Sequence, residues 1–280
     1  MTPELINNNE FITVENLIKM PHSSKVGLQE ALDIIVSPDT RNRLELNAEK
    51  TALSEGGFQY PIINGLPVLY PESVNEAFRN SGLNFEYFKN SELQYYLLSQ
   101  IKQNGEINAP SESLPYQRHL YRMREFLQEY NGLSLDIGCD DIDIGAALLS
   151  KESRYIGLDP FTSDSKKFKI VGVGEALPFQ SGIFDVAIFN TSLDHILDYH
   201  TAIDEAYRVL KPGGILVICS LIWLNEASLL KDMVHFHHFR DYEIKGAISQ
   251  KGTIIKQKNY PYKEDTHRYG MFIASKKNEY

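Results

Sequence analysis

Cysteine is nearly absent from this chain of 280 residues: Cys139 and Cys219 are the only two. A disulfide-stapled secreted scaffold is excluded by that count, and two thiols in expected buried strand or turn positions read as reduced cysteines of a cytoplasmic protein. No apolar run approaches the ~18 residues of a membrane span, so no membrane partner is expected. The first residues, MTPELINNNEFITVENL, have neither a basic start nor a long apolar core, which speaks against a signal peptide. Positive charge is also short. The formal net charge is −9, and such a surface repels phosphate backbones, so nucleic acid is not an expected partner. The one basic run, Lys166-Lys167-Phe168-Lys169, is too short for a nucleic-acid footprint and reads as a solvated turn or an anion contact. No internal repeat and no low-complexity tract appears. The pattern Gly-x-Gly-x-x-Gly is missing, which weakens a nicotinamide-dependent reading.

What is present is concentrated in LSLDIGCDDIDIGAALLSKESRYIGLDP. An apolar run ends in Asp136-Ile-Gly138-Cys139, an amphipathic segment follows, and a second apolar run ends in Asp159. That is strand, tight turn, helix and strand, with an acidic residue closing each strand. Asp159 stands 23 residues after Asp136, near the roughly 20 that separate a nucleotide-binding turn from the carboxylate that holds a ribose. A ribose-bearing cofactor follows as the leading hypothesis.

Around this stretch the chain divides into four expected parts. Residues 1–24 form a short helical or irregular arm ended by Pro21. Residues 25–75 form a small β-rich module, with turn chemistry at Ser37-Pro38-Asp39 and Asn64-Gly65 between apolar runs as a hairpin signal. Such a module is marginal alone and is expected to dock on the rest. Residues 76–131 form a helical linker: a stripe at Leu93, Tyr96, Leu97, Gln100 and Ile101, a loop at 104–115, then a helix at 116–130 stopped by Gly132. From 132 to 280 strands (133–137, 155–158, 169–173, 184–189, 214–220) alternate with helices (143–151, 199–210, 225–234), and two further strands fall at 253–258 and 269–275. The fold class is α/β: a doubly wound, mostly parallel sheet with a small N-terminal β-rich module and a helical linker.

The large domain resembles the S-adenosylmethionine-dependent methyltransferases of the Rossmann-like class. The resemblance rests on Leu135-Asp136-Ile137-Gly138-Cys139, Gly157-Leu158-Asp159, Glu175-Ala176-Leu177-Pro178-Phe179 with Phe184-Asp185, and Leu210-Lys211-Pro212-Gly213-Gly214. Asn190-Thr-Ser-Leu-Asp194-His195 is similar to the strand end that commonly reads Leu-Glu-His in these enzymes. The small module resembles the zinc-ribbon-like family that activates certain methyltransferases. In that family cysteines at the turn before the first hairpin hold zinc. Here Ser37, Asp39 and Arg41 occupy that turn, so the resemblance implies a fused, metal-free version.

The resemblance implies S-adenosylmethionine as cofactor, held by Asp136, Gly138, Cys139, Asp140, Asp159, Pro160, Glu175, Ala176, Leu177 and Asn190. The usual Gly-x-Gly-x-Gly turn is altered to Gly138-Cys139-Asp140-Asp141-Ile142. Asp tolerates a left-handed backbone at 140, whereas Ile142 is β-branched where helix and cofactor approach. Family members often carry an acid at the position of Val173, to receive the adenine amino group. The acidic cluster Asp136, Asp140, Asp141 and Asp143 reads as a pocket for a cationic cofactor, as a solvated turn, or as an oxygen-ligand cation site without calcium-loop spacing. Asp159 has the plainer alternative of capping the next turn.

His195 and His238 are the candidate catalytic residues. His195 stands at a strand's carboxyl end as a general base or as sheet-edge packing; the resemblance to methyltransferases that carry a His-Phe pair at a lid implies an acceptor contact for His238, with plain packing as the alternative. His235-Phe-His237-His238-Phe239 has no partner at a recognised spacing, so no metal is expected. The function these readings point to is methyl transfer to oxygen or nitrogen of a small-molecule or glycan acceptor. The alternative is a catalytically degenerate, methyltransferase-like binding or regulatory protein.

Overall fold

The computed structural model describes residues 10–74, 113–140, 142–160, 167–224, 235–261 and 268–278. The expected helix at 225–234, the Leu93–Ile101 stripe, most of the 76–131 linker and Asp141 lie outside the described residues.

Strands β1 (Ser24–Lys25), β6 (Leu133–Ile137), β7 (Arg154–Asp159), β8 (Ile170–Val171), β9 (Phe184–Asn190), β10 (Leu210–Trp223), β11 (Gly252–Pro261) and β12 (Arg268–Lys277) form one sheet in the order β1-β7-β6-β9-β10-β12-β11, with β8 also pairing β7. The pairs from β7 to β10 are parallel; β12 runs antiparallel between β10 and β11. Strand order reverses between β6 and β9, and the carboxyl ends on either side of that reversal bound the crevice where open α/β sheets bind ligands.

Alternation along β9 shows why the sheet is covered on both faces. Ala187 and Phe189 pack with Leu135, Ile137 and Leu216 against Ala202, Ile203 and Ala206. Those alanines and the isoleucine belong to the helix Tyr199–Val209. Val186 and Ile188 face the other way, onto Leu120, Met123 and Phe126 of the helix Leu114–Leu127 and Ala146 and Ala147 of the helix Ile142–Leu148. Period-2 strands sandwiched between helical stripes bury both side-chain sets. Leu17, on the short arm helix Val14–Lys19, joins this second layer.

Several boundaries differ from expectation. β8 covers only residues 170–171 of the 169–173 expected as strand, and the 143–151 helix is observed as Ile142–Leu148. Pro212-Gly213-Gly214 lies inside the long β10, where the register shifts between Leu210 and Ile215 and Gly213 adopts φ +73°. A helix at Asp241–Ser249 was not foreseen, because its apolar positions Ile244, Ala247 and Ile248 are few. Nor was β1, whose two exposed residues pair parallel with β7.

The small module is a second, antiparallel sheet of β2 (Glu45–Leu46), β3 (Ala52–Glu55), β4 (Phe58–Ile63) and β5 (Leu66–Pro67). Asn64 and Gly65 take φ +53° and +81° and leave Ile63 paired with Leu66, the two-residue hairpin that Asn-Gly announces. At the turn of Ser37 the Tyr60 hydroxyl lies 2.8 Å from Ser37 Oγ and donates to Asp39 Oδ2 at 2.8 Å, while the amides of Asp39 and Thr40 donate to Ser37 Oγ. Hydrogen bonds among neutral and acidic side chains hold this turn together.

The module docks by main chain and by one arginine. Leu69 N donates to Val171 O at 2.7 Å, Val36 N to Pro178 O at 3.0 Å and Gln180 N to Ile34 O at 3.0 Å. Arg41, at φ +65°, donates to Leu177 O at 2.7 Å and Glu205 Oε2 at 2.9 Å. Leu66, Val68, Tyr70 and Val74 close over Val171 and Val173 in an apolar cluster. Val173 is therefore covered by the module. An acid there would be buried among hydrocarbon without a partner, a cost of several kcal/mol by a rough estimate.

Candidate active site

Local chemistry shapes the first turn. Gly138 (φ +80°) and Asp140 (φ +44°) both take left-handed conformations. The amides of Gly138 and Cys139 donate to Leu158 O at 2.8 and 3.1 Å. The Asp140 amide donates to Asp159 Oδ2 at 3.1 Å, so Asp159 points toward the turn. A Cβ on Gly138 would lie 2.4 Å from Ser192 Cβ; only glycine lets the two strand ends meet this closely. Ile142 is directed at the sheet rather than the crevice: its Cδ1 would lie 2.5 Å from a Cβ on Gly157.

Beside this turn lies a cavity of about 500 Å³, a size typical of small-molecule sites. Asp136, Gly138, Cys139 and Asp140 line one side, and Asn190, Thr191, Asp194 and His195 line the other. Cys219 to Leu221 and the ends of β11 and β12 form the floor, and Tyr116, Arg118, His119 and Arg122 of the helix Leu114–Leu127 complete the wall.

Asp136 carries the strongest electrostatic tension. It is 3% exposed, Oδ2 accepts from the Tyr155 hydroxyl at 2.9 Å, and Oδ1 has no hydrogen-bond partner among the described residues. Burial raises its pKa to about 7, against the lowering effect of the Tyr155 bond and with a smaller rise from Asp159. An orphaned acceptor at the cavity wall calls for a cationic donor. The ammonium of S-adenosylmethionine has that chemistry, so the residues present fit this cofactor.

Of the twelve residues singled out from sequence, six line the cavity: Asp136, Gly138, Cys139, Asp140, Asn190 and His195. The other six lie outside its lining. Asp159 is paired with the buried Lys169 at 3.3 Å. Pro160 accepts through its carbonyl from the Tyr70 hydroxyl. Glu175 Oε1 accepts from the Asp198 amide at 3.3 Å, at the start of the helix Tyr199–Val209, and its burial raises its pKa. Ala176 packs beside the module's cluster, and Leu177 is bound through N and O by Glu205, Arg41 and Arg208. His238 stacks on Trp223 at 4.0 Å between ring centroids. Asp143, from the acidic cluster, is paired with Lys25 and, at 2.7 Å, with Lys167, and these lysines hold its carboxyl below the usual range.

Sequence reasoning passed over His119. It is buried, its Nε2 lies 3.0 Å from Asn190 Oδ1, and its ring packs edge-on against Phe272. Desolvation lowers its pKa, so the imidazole is neutral near pH 7. Its spacing with Tyr116, Met123 and Phe126 placed it on the buried stripe of its helix, which was the available signal. Arg118 and Arg122 were also passed over; the Nε of each is buried without a hydrogen-bond partner among the described residues.

Comparison with known proteins agrees with this architecture. Residues 135–218 match the family described as "Methyltransferase domain". "Uncharacterized protein YafE" of Escherichia coli (strain K12) is 31% identical over 93 residues, which are 30% of this chain and 45% of the relative. "Sterol 4-C-methyltransferase strm-1" of Caenorhabditis elegans is 35% identical over 106 residues, covering 33% of this chain and 32% of the relative. The chain thus spans less than half the length of these curated relatives. Among solved structures, the [4+2]-cyclase SpnF superposes with TM-score 0.50 at 14% identity, over 66% of this chain and 97% of the other, a likeness of fold. The family match over residues 135–218, the strand order and the glycine turn give the large domain the fold of the Rossmann-like methyltransferases, which it resembles and whose cofactor is S-adenosylmethionine.

Proposed function

We propose that this protein transfers a methyl group to an oxygen or nitrogen of a small-molecule or glycan acceptor bound in the 500 Å³ cavity. When bound, S-adenosylmethionine supplies a methyl group made electrophilic by the attached sulfonium. The protein's part is alignment and exclusion of water. Asp136, Gly138 and Asp140 would hold the amino-acid end of the cofactor, with Asp159 behind the turn. Asn190, fixed by His119, and His195 face the remaining space, where the acceptor would lie. Between the two histidines first singled out, His195 is the one on the cavity wall. Arg118 supplies a cation there, which favours an acceptor carrying a negative group.

The observation that carries this reading is the convergence of the glycine turn and the Asn190–His195 segment on one cavity at the reversal of strand order. Calorimetric titration with S-adenosylmethionine tests it. Binding near one equivalent supports the proposal; no heat from an intact, ligand-free protein refutes it.

A second reading, a methyltransferase-like binding protein without catalysis, draws on one observation. The Asp159 carboxylate is already engaged by Lys169 and by the Asp140 amide, so a ribose would have to share it. Cofactor binding without methylated product from any small-molecule pool would favour this reading. Mass spectrometry of whatever co-purifies with the protein would name the acceptor class most directly.

A further inference from the structure

Asp194, His195 and His235 each offer one ligand atom, and the three atoms lie within 4.8 Å of one another. All three line the cavity. We infer that they form a binding site for one borderline divalent transition-metal ion of the zinc class, open on the cavity side.

The geometry is that of a prepared site. Asp194 is 3% exposed, and its Oδ1 has no hydrogen-bond partner among the described residues. His195 Nε2 stands 3.9 Å from Oδ1 and His235 Nε2 3.9 Å from Oδ2. These separations exceed the ~3.2 Å limit of an N–H···O hydrogen bond. They approach the roughly 3.3 Å between neighbouring ligand atoms around a tetrahedral ion with bonds of about 2.0–2.1 Å. The two imidazoles stack at 4.8 Å with 29° between planes, so both present Nε2 to the same carboxylate.

The scaffold holds this arrangement from behind. Phe236 N and His237 N donate to the Asp194 carbonyl at 2.9 and 3.2 Å. His237 Nε2 lies 2.9 Å from Ile196 O and 3.1 Å from Leu197 O, so His237 serves as the clasp between the two segments. His238 turns onto Trp223, which Arg268 covers from 4.6 Å. Of the three histidines in this run, His235 alone faces Asp194. Two imidazoles and one carboxylate with open positions suit Zn²⁺, Fe²⁺, Co²⁺ or Ni²⁺ rather than Mg²⁺ or Ca²⁺.

The role given to the ion rests on the methyl-transfer reading; its binding does not. An acceptor hydroxyl on the open side would lose its proton to a cavity water. Its oxygen lone pair would form the new bond to the methyl carbon, and the electron pair of the broken sulfur–carbon bond would stay on sulfur. In this arrangement His195 is a ligand rather than the proton acceptor.

The test is titration of chelator-stripped full-length protein with Co²⁺ and Zn²⁺, following visible absorption and calorimetry, with no S-adenosylmethionine present. One equivalent of Co²⁺ giving a tetrahedral or five-coordinate band, competed by Zn²⁺, is expected. His235→Ala should weaken binding at least hundredfold while retaining the wild-type circular dichroism. His200→Ala, a histidine outside the site, should bind as wild type. Absence of a saturable band in wild type, or unchanged affinity in His235→Ala, would overturn the site. Metal binding with no S-adenosylmethionine affinity would keep the site and refute the methyl-transfer reading instead.

Discussion

Replacing Asp136 by asparagine should move stability and cofactor affinity in opposite directions. The carboxyl is 3% exposed and its pKa is raised from 3.8 to about 7, first by burial. The folded state therefore holds this proton more tightly than the unfolded chain does. Its contribution to stability is complete below about pH 4 and is lost as pH climbs from there through 7. A displacement of about three pH units at roughly 1.4 kcal/mol each places on the order of 4 kcal/mol against the ionised form at pH 8.5. Asparagine removes that charge but keeps only a neutral acceptor for the Tyr155 hydroxyl, which returns about 1 kcal/mol. The net expectation is a ligand-free variant roughly 2–3 kcal/mol more stable than wild type at pH 8.5, or about 3–5 °C in melting temperature. Near pH 4 the gain should vanish. Calorimetry should show the reverse for S-adenosylmethionine, with affinity ten- to hundredfold weaker at pH 8.5, since a charged hydrogen bond contributes about 1.5–3 kcal/mol. In wild type, affinity should fall about tenfold per pH unit below 7 as Asp136 becomes protonated. An identical melting increment at both pH values, or an unchanged cofactor affinity, would refute the assignment.

Gly138→Ala places a Cβ 2.4 Å from Ser192 Cβ at φ +80°. It should cost about 2 kcal/mol or more in a denaturant melt and abolish calorimetric binding of S-adenosylmethionine. Arg41→Ala removes the contacts to Leu177 O and Glu205; Arg208 still pairs Glu205 at 2.7 Å, so the expected cost is about 1–2 kcal/mol. Limited proteolysis should then cut the small module first. His119→Phe keeps the packing on Phe272 but releases Asn190. It should lower kcat and leave the pH profile above 7 in place, because burial lowers the pKa of His119. Arg118→Ala should raise KM for anionic acceptors about tenfold and leave S-adenosylmethionine affinity unchanged, which paired kinetic and calorimetric measurements would check.

The alternation of strand and helix after residue 132 was legible because period 2 and period 3.6 are local properties, and Asp136, Gly138 and Asp159 were legible because each ends a strand. The Asn64-Gly65 hairpin was legible for the same reason. What local pattern could not carry was convergence. His119 drew no notice because nothing nearby in the chain says that Asn190 meets it. Asp194 was placed with His195 at a strand's carboxyl end, but its approach to His235 forms only when the segment after β10 folds back on the segment after β9. The short helix at Asp241–Ser249 failed for another reason: three buried apolar residues give too weak a period to stand out.

Val173 and Ile142, the two departures from family pattern, have physical explanations that bear on function differently. Ile142 fills space between its helix and Gly157, where it stabilises the turn and stays out of the cavity lining. Its effect on the cofactor is therefore indirect. Val173 lies under Leu66, Val68 and Val74, so the module and the missing acid form a single feature: the apolar cover that the module needs leaves no hydrated place for a carboxylate. Lys169 then follows from the same burial. At 2% exposure its ammonium pairs with Asp159, since two buried opposite charges in contact cost far less than either alone. Removing the ammonium by Lys169→Met should take away the buried countercharge of Asp159 while keeping its bond from the Asp140 amide. A loss of about 3 kcal/mol or more in the ligand-free protein is expected, and saturating S-adenosylmethionine should recover part of it through ribose hydroxyls donating to Asp159. If the cofactor stabilises wild type and Lys169→Met by equal increments in thermal melts, Asp159 does not receive the ribose.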